Sequence, residues 1–181
     1  MEKAHLPVTA VRYAAPEDLP LLAGIEAASD TMFASVMDIS DWPPPAAGAE
    51  RADRGGILLV VGEPALGFAH LVDLDGHWHL EHLVVQPAAQ RQGLGEMLLR
   101  AACGVALDAG AQALTLLTFA DVPWNAPWYA KRGFTELTPE RDPQSWTVLE
   151  AHRAAEDRLG LTRCGRRIAM THTLDDSPTP I

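Results

Sequence analysis

Cysteine is nearly absent. The 181 residues hold only Cys103 and Cys164, one in an apolar stretch and one in a later turn. No disulfide framework is expected from such a pair, and a cytoplasmic location fits best. Positive charge is also short. Fourteen lysines and arginines stand against 24 aspartates and glutamates, a formal net charge of −10, which argues against a nucleic-acid partner. No apolar run approaches the roughly 20 residues needed to cross a bilayer. Met1 to Val11 lacks a basic segment followed by an apolar one, so neither a membrane span nor a signal peptide is expected. Internal repeats are missing as well. What is present, 48% hydrophobic and 21% charged residues, is ordinary globular composition. The length suits one domain, expected over residues 1–174 with a frayed tail over 175–181.

Local patterns divide the chain into alternating elements. Val8 to Tyr13 reads as a first strand. Pro16-Glu17-Asp18-Leu19-Pro20 starts a helix with Asp18 at the N-cap and Pro20 in the first turn, running to about Ala28. Thr31 to Asp41 is ambiguous, and Trp42 through Gly56 is a loop on composition. Ile57 to Val61 and Leu66 to Leu74 form a strand pair, and Asp75-Gly76 is a hairpin signal leading into a strand from His77 to Val85. Strict alternation there sets His77, His79, Glu81 and Leu83 on one face, and Trp78, Leu80, His82 and Val84 on the other.

From about Gly93 to Ala109 the apolar residues follow helical spacing and leave only Glu96, Arg100 and Asp108 as a polar stripe, so this helix packs across a sheet. Ala113 to Phe119 is an apolar strand. Strand, long helix and strand make a βαβ unit with locally parallel pairing. Trp124 to Lys131 gives a short helix and Gly133 to Leu137 a strand. Asp142 and Pro143 start a helix to about Leu159, and Arg166 to Leu174 is the last strand. The fold class expected is α/β: a mixed, mostly antiparallel central sheet flanked by helices, with one βαβ unit.

Two segments carry chemistry. The strand Leu80-Glu81-His82-Leu83-Val84-Val85 runs through Gln86-Pro87 into Gln90-Arg91-Gln92-Gly93-Leu94-Gly95 and then the buried helix. A helix N-terminus with nearby glycines offers backbone N–H donors and a partial positive charge of roughly half a unit to a phosphate. G-x-G-x-x-G is incomplete, because Leu98 stands at the third glycine, so a dinucleotide fingerprint is not met. Some thirty residues later comes Trp124-Asn125-Ala126-Pro127-Trp128-Tyr129-Ala130-Lys131-Arg132-Gly133-Phe134. Tyr129 lies one helical turn after Asn125, so the two side chains share a face.

Together these segments resemble the GCN5-related N-acetyltransferase (GNAT) family. The first resembles its Q/R-x-x-G-x-G/A acyl-CoA signature, the second its Asn-x-x-x-Tyr helix ending in Gly-Phe. The resemblance implies a βαβ acyl-CoA-binding unit in which the amides of Arg91, Gln92, Gly93, Leu94, Gly95 and Glu96 cradle a pyrophosphate. Glu96, acidic beside a phosphate, is expected to point away. It further implies that Leu83, Val84 and Val85, on a strand splayed from its neighbour, bond the pantetheine arm and polarise the thioester carbonyl. Asn125 would contact pantetheine and Tyr129 would protonate the leaving thiolate.

Glu81 is the implied general base, with His79 as helper or substitute, although a structural or substrate-anchoring Glu81 is as good a reading. Zinc on His70, His77, His79 and His82 is not expected, since these residues face both sides of the strand. Cys103 lies inside its helix, which disfavours an acetyl-enzyme. Lys131 and Arg132 could meet the CoA 3′-phosphate, and Asp121 a cationic acceptor.

The function implied is direct acetyl transfer from acetyl-CoA to an amine, a small molecule in preference to a protein, without a metal and with a homodimer possible. The alternatives are a non-catalytic acyl-CoA-binding sensor or scaffold, and an acyltransferase using a different acyl-CoA.

Overall fold

The computed structural model describes residues 10–175. Among them, seven strands form one sheet: β1 (Val11–Tyr13), β2 (Ile57–Val61), β3 (Gly67–Leu74), β4 (His77–Val85), β5 (Ala113–Phe119), β6 (Thr135–Glu136) and β7 (Arg167–Thr173), in the order β1-β2-β3-β4-β5-β7-β6. The helices are α1 (Leu19–Asp30), α2 (Gly48–Asp53), α3 (Leu94–Asp108), α4 (Ala126–Ala130), α5 (Pro143–Val148), α6 (Glu150–Arg158) and α7 (Leu161–Cys164). Only β4 and β5, joined through α3, pair in parallel; the other neighbours are antiparallel. This is the mixed sheet with one βαβ unit that the sequence pattern predicts. Asp75 and Gly76 both take positive φ, 53° and 86°, and close the β3–β4 hairpin at the Leu74–His77 pair.

The central strands β2, β3 and β4 split their side chains between two helical layers. Leu59 and Val61 on β2, Ala69 and Leu71 on β3, and Leu114 and Leu116 on β5 pack with Leu94, Leu98 and Ala102 of α3. Val60, Phe68 and Val84 face the other way, onto Leu22 and Ile25 of α1. A smaller cluster of Leu137, Leu149 and Ala169 seats α5 and α6 beside β7.

Several expectations are corrected. Asp18 occupies the N-cap position of α1 but caps nothing with its side chain. Its carboxylate accepts from the Arg12 guanidinium and the Ala15 N–H instead. The Trp42–Gly56 segment is not all loop, because it contains α2, and the ambiguous stretch before it holds a single 3-10 turn, Phe33–Ser35. The helix expected from Asp142 to Leu159 does start with an Asp142 cap, Ser145 N–H donating to Oδ1 at 3.0 Å. It divides at Leu149, which is buried in the cluster with Leu137. The strand expected over Gly133 to Leu137 shrinks to β6, and Cys164 ends α7 rather than lying in a turn. Val8 and Thr9 of the first expected strand, and tail residues 176–181, lie outside the described residues.

Candidate active site

The β4–β5 ladder is short. It pairs Trp78 with Leu114, His79 with Thr115 and Leu80 with Leu116, then stops, while β4 continues to Val85 and β5 to Phe119. On its other edge β4 stays paired with β3 through Leu83, Val84 and Val85. The edge of these three residues facing β5 is therefore outside any ladder, and Gln90 Nε2 donates to the Val85 carbonyl at 3.1 Å just beyond the opening.

The turn after β4 delivers a helix N-terminus to the same place. Arg91 and Gly93 both have positive φ, 59° and 82°. Such a backbone suits glycine, and a Cβ at Gly93 would meet nothing within 4 Å, so the turn is required by backbone conformation and not by crowding. Arg91, Gln92 and Gly93 are exposed. The Met97 N–H donates to the Gly93 carbonyl at 3.0 Å, and the N–H groups of Leu94, Gly95 and Glu96 precede it at the helix start, where donors have no intrahelical partner. Gly95 faces Val85 and Trp128 at ordinary contact distance. Glu96 is tied up by Arg132, whose Nη2 donates to Oε2 at 2.9 Å. Arg132 in turn stacks 3.8 Å over the Trp128 ring and donates to the Trp128 carbonyl. Arg132 is thus spent on the protein itself, and Lys131 stays exposed.

Asn125 stands at the N-cap of α4, and its carbonyl accepts from the Tyr129 N–H at 3.0 Å. Tyr129 sits edge-on between Trp128 and Phe134, with ring centroids 5.0 and 5.5 Å away. It belongs to the layer containing Leu83, Val85 and α3. Burial holds the phenol above its usual range, opposed only by the charge of Arg167. Cys103 packs in the same layer, where burial raises its thiol to about 11 and leaves it a poor nucleophile.

Strict alternation along β4 fails at Glu81. The β3–β4 register passes from His70 opposite His82 to Leu71 opposite Leu80, so Glu81 is an extra residue. The bulge puts Glu81 and His82 on the same face, with His79 and Val84, while Leu80, Leu83 and Val85 face α3. This corrects the expected sets: His82 joins Glu81, and Leu83 leaves it. Glu81 and Tyr129 therefore lie on opposite faces of the sheet.

A polar network surrounds Glu81. The His70 ring, fully buried, places Nδ1 2.8 Å from Glu81 Oε2. Its Nε2 is 3.0 Å from the Gly55 carbonyl. Arg51, 1% exposed, bonds Glu26 of α1 and donates to His82 Nδ1 at 3.1 Å. Contact with His70 holds the Glu81 carboxyl down at about 2, against the opposing effect of burial. Burial pushes Glu26 up to about 7 and Asp30 to about 6, in both cases against the pull of Arg51. Burial, reinforced by the Arg51 charge, lowers His82 to about 3.

His79 is turned elsewhere. Thr115 Oγ1 donates to the Trp78 carbonyl at 3.2 Å, so the 3.0 Å contact with His79 Nδ1 has the ring N–H donating to the hydroxyl. Burial, with the charge of neighbouring His152, lowers His79 to about 3 and keeps it neutral. Asp121 is exposed, with Arg166 at 3.9 Å. Donor atoms of His70, Glu81 and His82 lie within 4.8 Å of one another, close enough for a metal. The Arg51 guanidinium nevertheless occupies the His82 lone pair and sets a fixed positive charge against a cation there.

Sequence reasoning missed Arg51 and Glu26. One local signal exists for Arg51: Gly48, whose Cβ would stand 2.0 Å from the Leu19 carbonyl, lets the start of α2 press onto α1.

A family model described as the acetyltransferase (GNAT) family matches residues 23–134, more than half of the chain, from within α1 to Phe134. The chain belongs to that family. It is an acyltransferase by that membership, and solved GNAT structures share its fold. The ribosomal-protein-S18-alanine N-acetyltransferase from Escherichia coli is 20% identical, with a TM-score of 0.61 over 96% of this chain and 98% of that one. The PaiA N-acetyltransferase from Thermoplasma acidophilum, solved with coenzyme A, is 15% identical with a TM-score of 0.62 over 91% and 98%. The N-acetylglutamate synthase from Neisseria gonorrhoeae, solved with coenzyme A and N-acetyl-glutamate, is 19% identical with a TM-score of 0.63. There the match takes 92% of this chain but 35% of the synthase, so this GNAT chain spans about a third of that relative. Among the described residues no helix is long and apolar enough to cross a membrane.

Proposed function

We propose that the protein transfers an acetyl group from acetyl-CoA directly to a small-molecule amine. The observation that carries this reading is the β4–β5 ladder ending at Leu80 and Leu116 beside the start of α3. It leaves an opening edged by main chain outside any β4–β5 ladder, which suits an extended pantetheine arm, next to helix donors that suit a pyrophosphate. In this reading Leu83, Val84 and Val85 bond pantetheine, one of their amides polarises the thioester carbonyl, and residues 91–96 hold the pyrophosphate. Arg91 adds a charge-assisted contact, and Asn125 touches pantetheine.

The chemistry divides across the sheet. On one face, Tyr129 stays protonated through the neutral range because burial raises its phenol, so it has a hydrogen to give the leaving thiolate. On the other face Glu81, 22% exposed at its side chain, accepts the proton of the incoming ammonium. The inert Cys103 favours transfer in a ternary complex over an acetyl-enzyme.

The test is thermal unfolding with acetyl-CoA, with NAD as control. A hundredfold excess over Kd stabilises by about 2.7 kcal/mol, a rise of roughly 5–11 °C for a chain of this size. Thiol release across a panel of amines then reads turnover. No rise with acetyl-CoA rules the reading out, and a rise without thiol release from any amine points to a binding module.

A further inference from the structure

His70 has one nitrogen committed and one waiting. A carbonyl oxygen only accepts, so the 3.0 Å contact with Gly55 makes Nε2 the protonated nitrogen. In the neutral ring Nδ1 then carries a lone pair, and it faces Glu81 Oε2 at 2.8 Å. Both atoms are buried without a well-aligned hydrogen-bond partner. Two acceptors at that separation repel, whereas one proton between them satisfies both. Other charged or titratable groups around the pair are Glu26 and Asp30 on α1, Arg51 on α2 and Arg54 just after it, His79 and His82 on β4, and His152 on α6. Arg51 donates to His82 Nδ1. His82 Nδ1 is 3.9 Å from Glu81 Oε2, so His70 is the nearer imidazole.

We propose that His70 is a positioning residue that completes the base, holding on Nδ1 the proton that Glu81 draws from the acceptor ammonium. The inference rests on the proposed role of Glu81. An N–H bond of the ammonium breaks as its proton passes to the carboxylate, and an N–H bond forms at His70 Nδ1. The pair goes from carboxylate and neutral imidazole to carboxylate and imidazolium, and the proton returns to solvent by the same route once product has left. Glu81 Oε2 is buried, and a proton reaching it finds the His70 Nδ1 lone pair 2.8 Å away, so His70 is the nearest group able to hold it.

The deciding experiment is 15N NMR of the full-length protein labelled at histidine, titrated from pH 5 to 10. Expected is a ring whose Nε2 stays protonated throughout while Nδ1 gains a proton on acidification, with a midpoint that falls by at least one pH unit in Glu81→Gln. A ring that keeps Nδ1 unprotonated across the range, or a midpoint indifferent to Glu81→Gln, overturns the proposal. Kinetics give a second reading, using the panel amine that releases thiol fastest. His70→Asn offers Glu81 a hydrogen-bond donor that does not titrate, and His70→Gln keeps only the bond to Gly55. Both are expected to lower kcat/KM at pH 7 at least tenfold and to shift or abolish its acidic limb, with the thermal shift by acetyl-CoA retained. A wild-type acidic limb in both variants counts against the pair. If the NMR midpoint moves but Glu81→Gln keeps wild-type kcat/KM, the pair exists and Glu81 is not the base.

Discussion

Arg51 Nη1 donates to His82 Nδ1 at 3.1 Å, and the His82 Nε2 on the far side of the ring lies 3.5 Å from Glu26 Oε1. One arginine, almost wholly buried, thus fixes which nitrogen of His82 carries hydrogen, and it also bonds Glu26 directly. Arg51→Met removes one member of a buried ionic pair. A loss of about 3–5 kcal/mol is expected from breaking such a pair. Because burial already raises Glu26 to about 7, the orphaned carboxyl can escape by protonation. Urea unfolding should therefore show a larger loss at pH 8 than at pH 5.

Tyr129→Phe removes the phenol hydrogen and little else, since the ring is held edge-on by Trp128 and Phe134. The expected outcome is a fall in kcat of about 100-fold or more with the acetyl-CoA thermal shift intact. Steady-state thiol release and thermal unfolding on the same preparation check it.

Gly93→Ala isolates backbone strain. The position has φ of 82° and open space around it, so the methyl group clashes with nothing nearby and the penalty is conformational. A stability loss of about 1–2 kcal/mol is expected, together with weaker acetyl-CoA binding by calorimetry as the turn relaxes. Unchanged affinity would mean that the turn does not shape the donor site.

Two buried groups pull the pH dependence of stability in opposite directions. His79 falls from 6.5 to about 3 on folding, so between those values the unfolded chain binds more protons. Its contribution is complete above pH 6.5 and is lost as the pH drops toward 3. Glu26 rises from 4.5 to about 7, so the folded chain holds more protons in that window, and stability drains away as the pH climbs through it. Urea midpoints from pH 4 to 8 should show His79→Gln flattening the acid side. Glu26→Gln should gain on the wild type steadily from pH 4.5 to 7.

Much of this was legible in the chain because it is written locally. The strand, the glycine turn and the buried helix follow from alternation, positive-φ residues and helical spacing within about thirty residues, and so does the parallel pairing of β4 and β5. Alternation places Glu81 and His82 on opposite faces because it assumes one residue per rung, and a bulge depends on the partner strand. Arg51 is a charged residue in a short window after three prolines, and only Gly48 hints that α1 will cover it. Asp18 has the composition of a cap, but Arg12, six residues earlier, outcompetes the helix for its carboxylate. The break at Leu149 is likewise tertiary, set by where the Leu137 cluster needs an apolar side chain.

The division of β4 between its two faces has an evolutionary reading under the proposed function. Leu83, Val85 and Tyr129 share the α3 layer, whereas Glu81, His82 and Val84 look toward α1. A change of acceptor can then be made by substituting the α1 and α2 segments that cover the second set, while the base and the parts that grip the common donor stay as they are. Neighbouring codons in one strand answer to separate selective pressures, so a lineage could exchange amines repeatedly without rebuilding its means of holding the thioester.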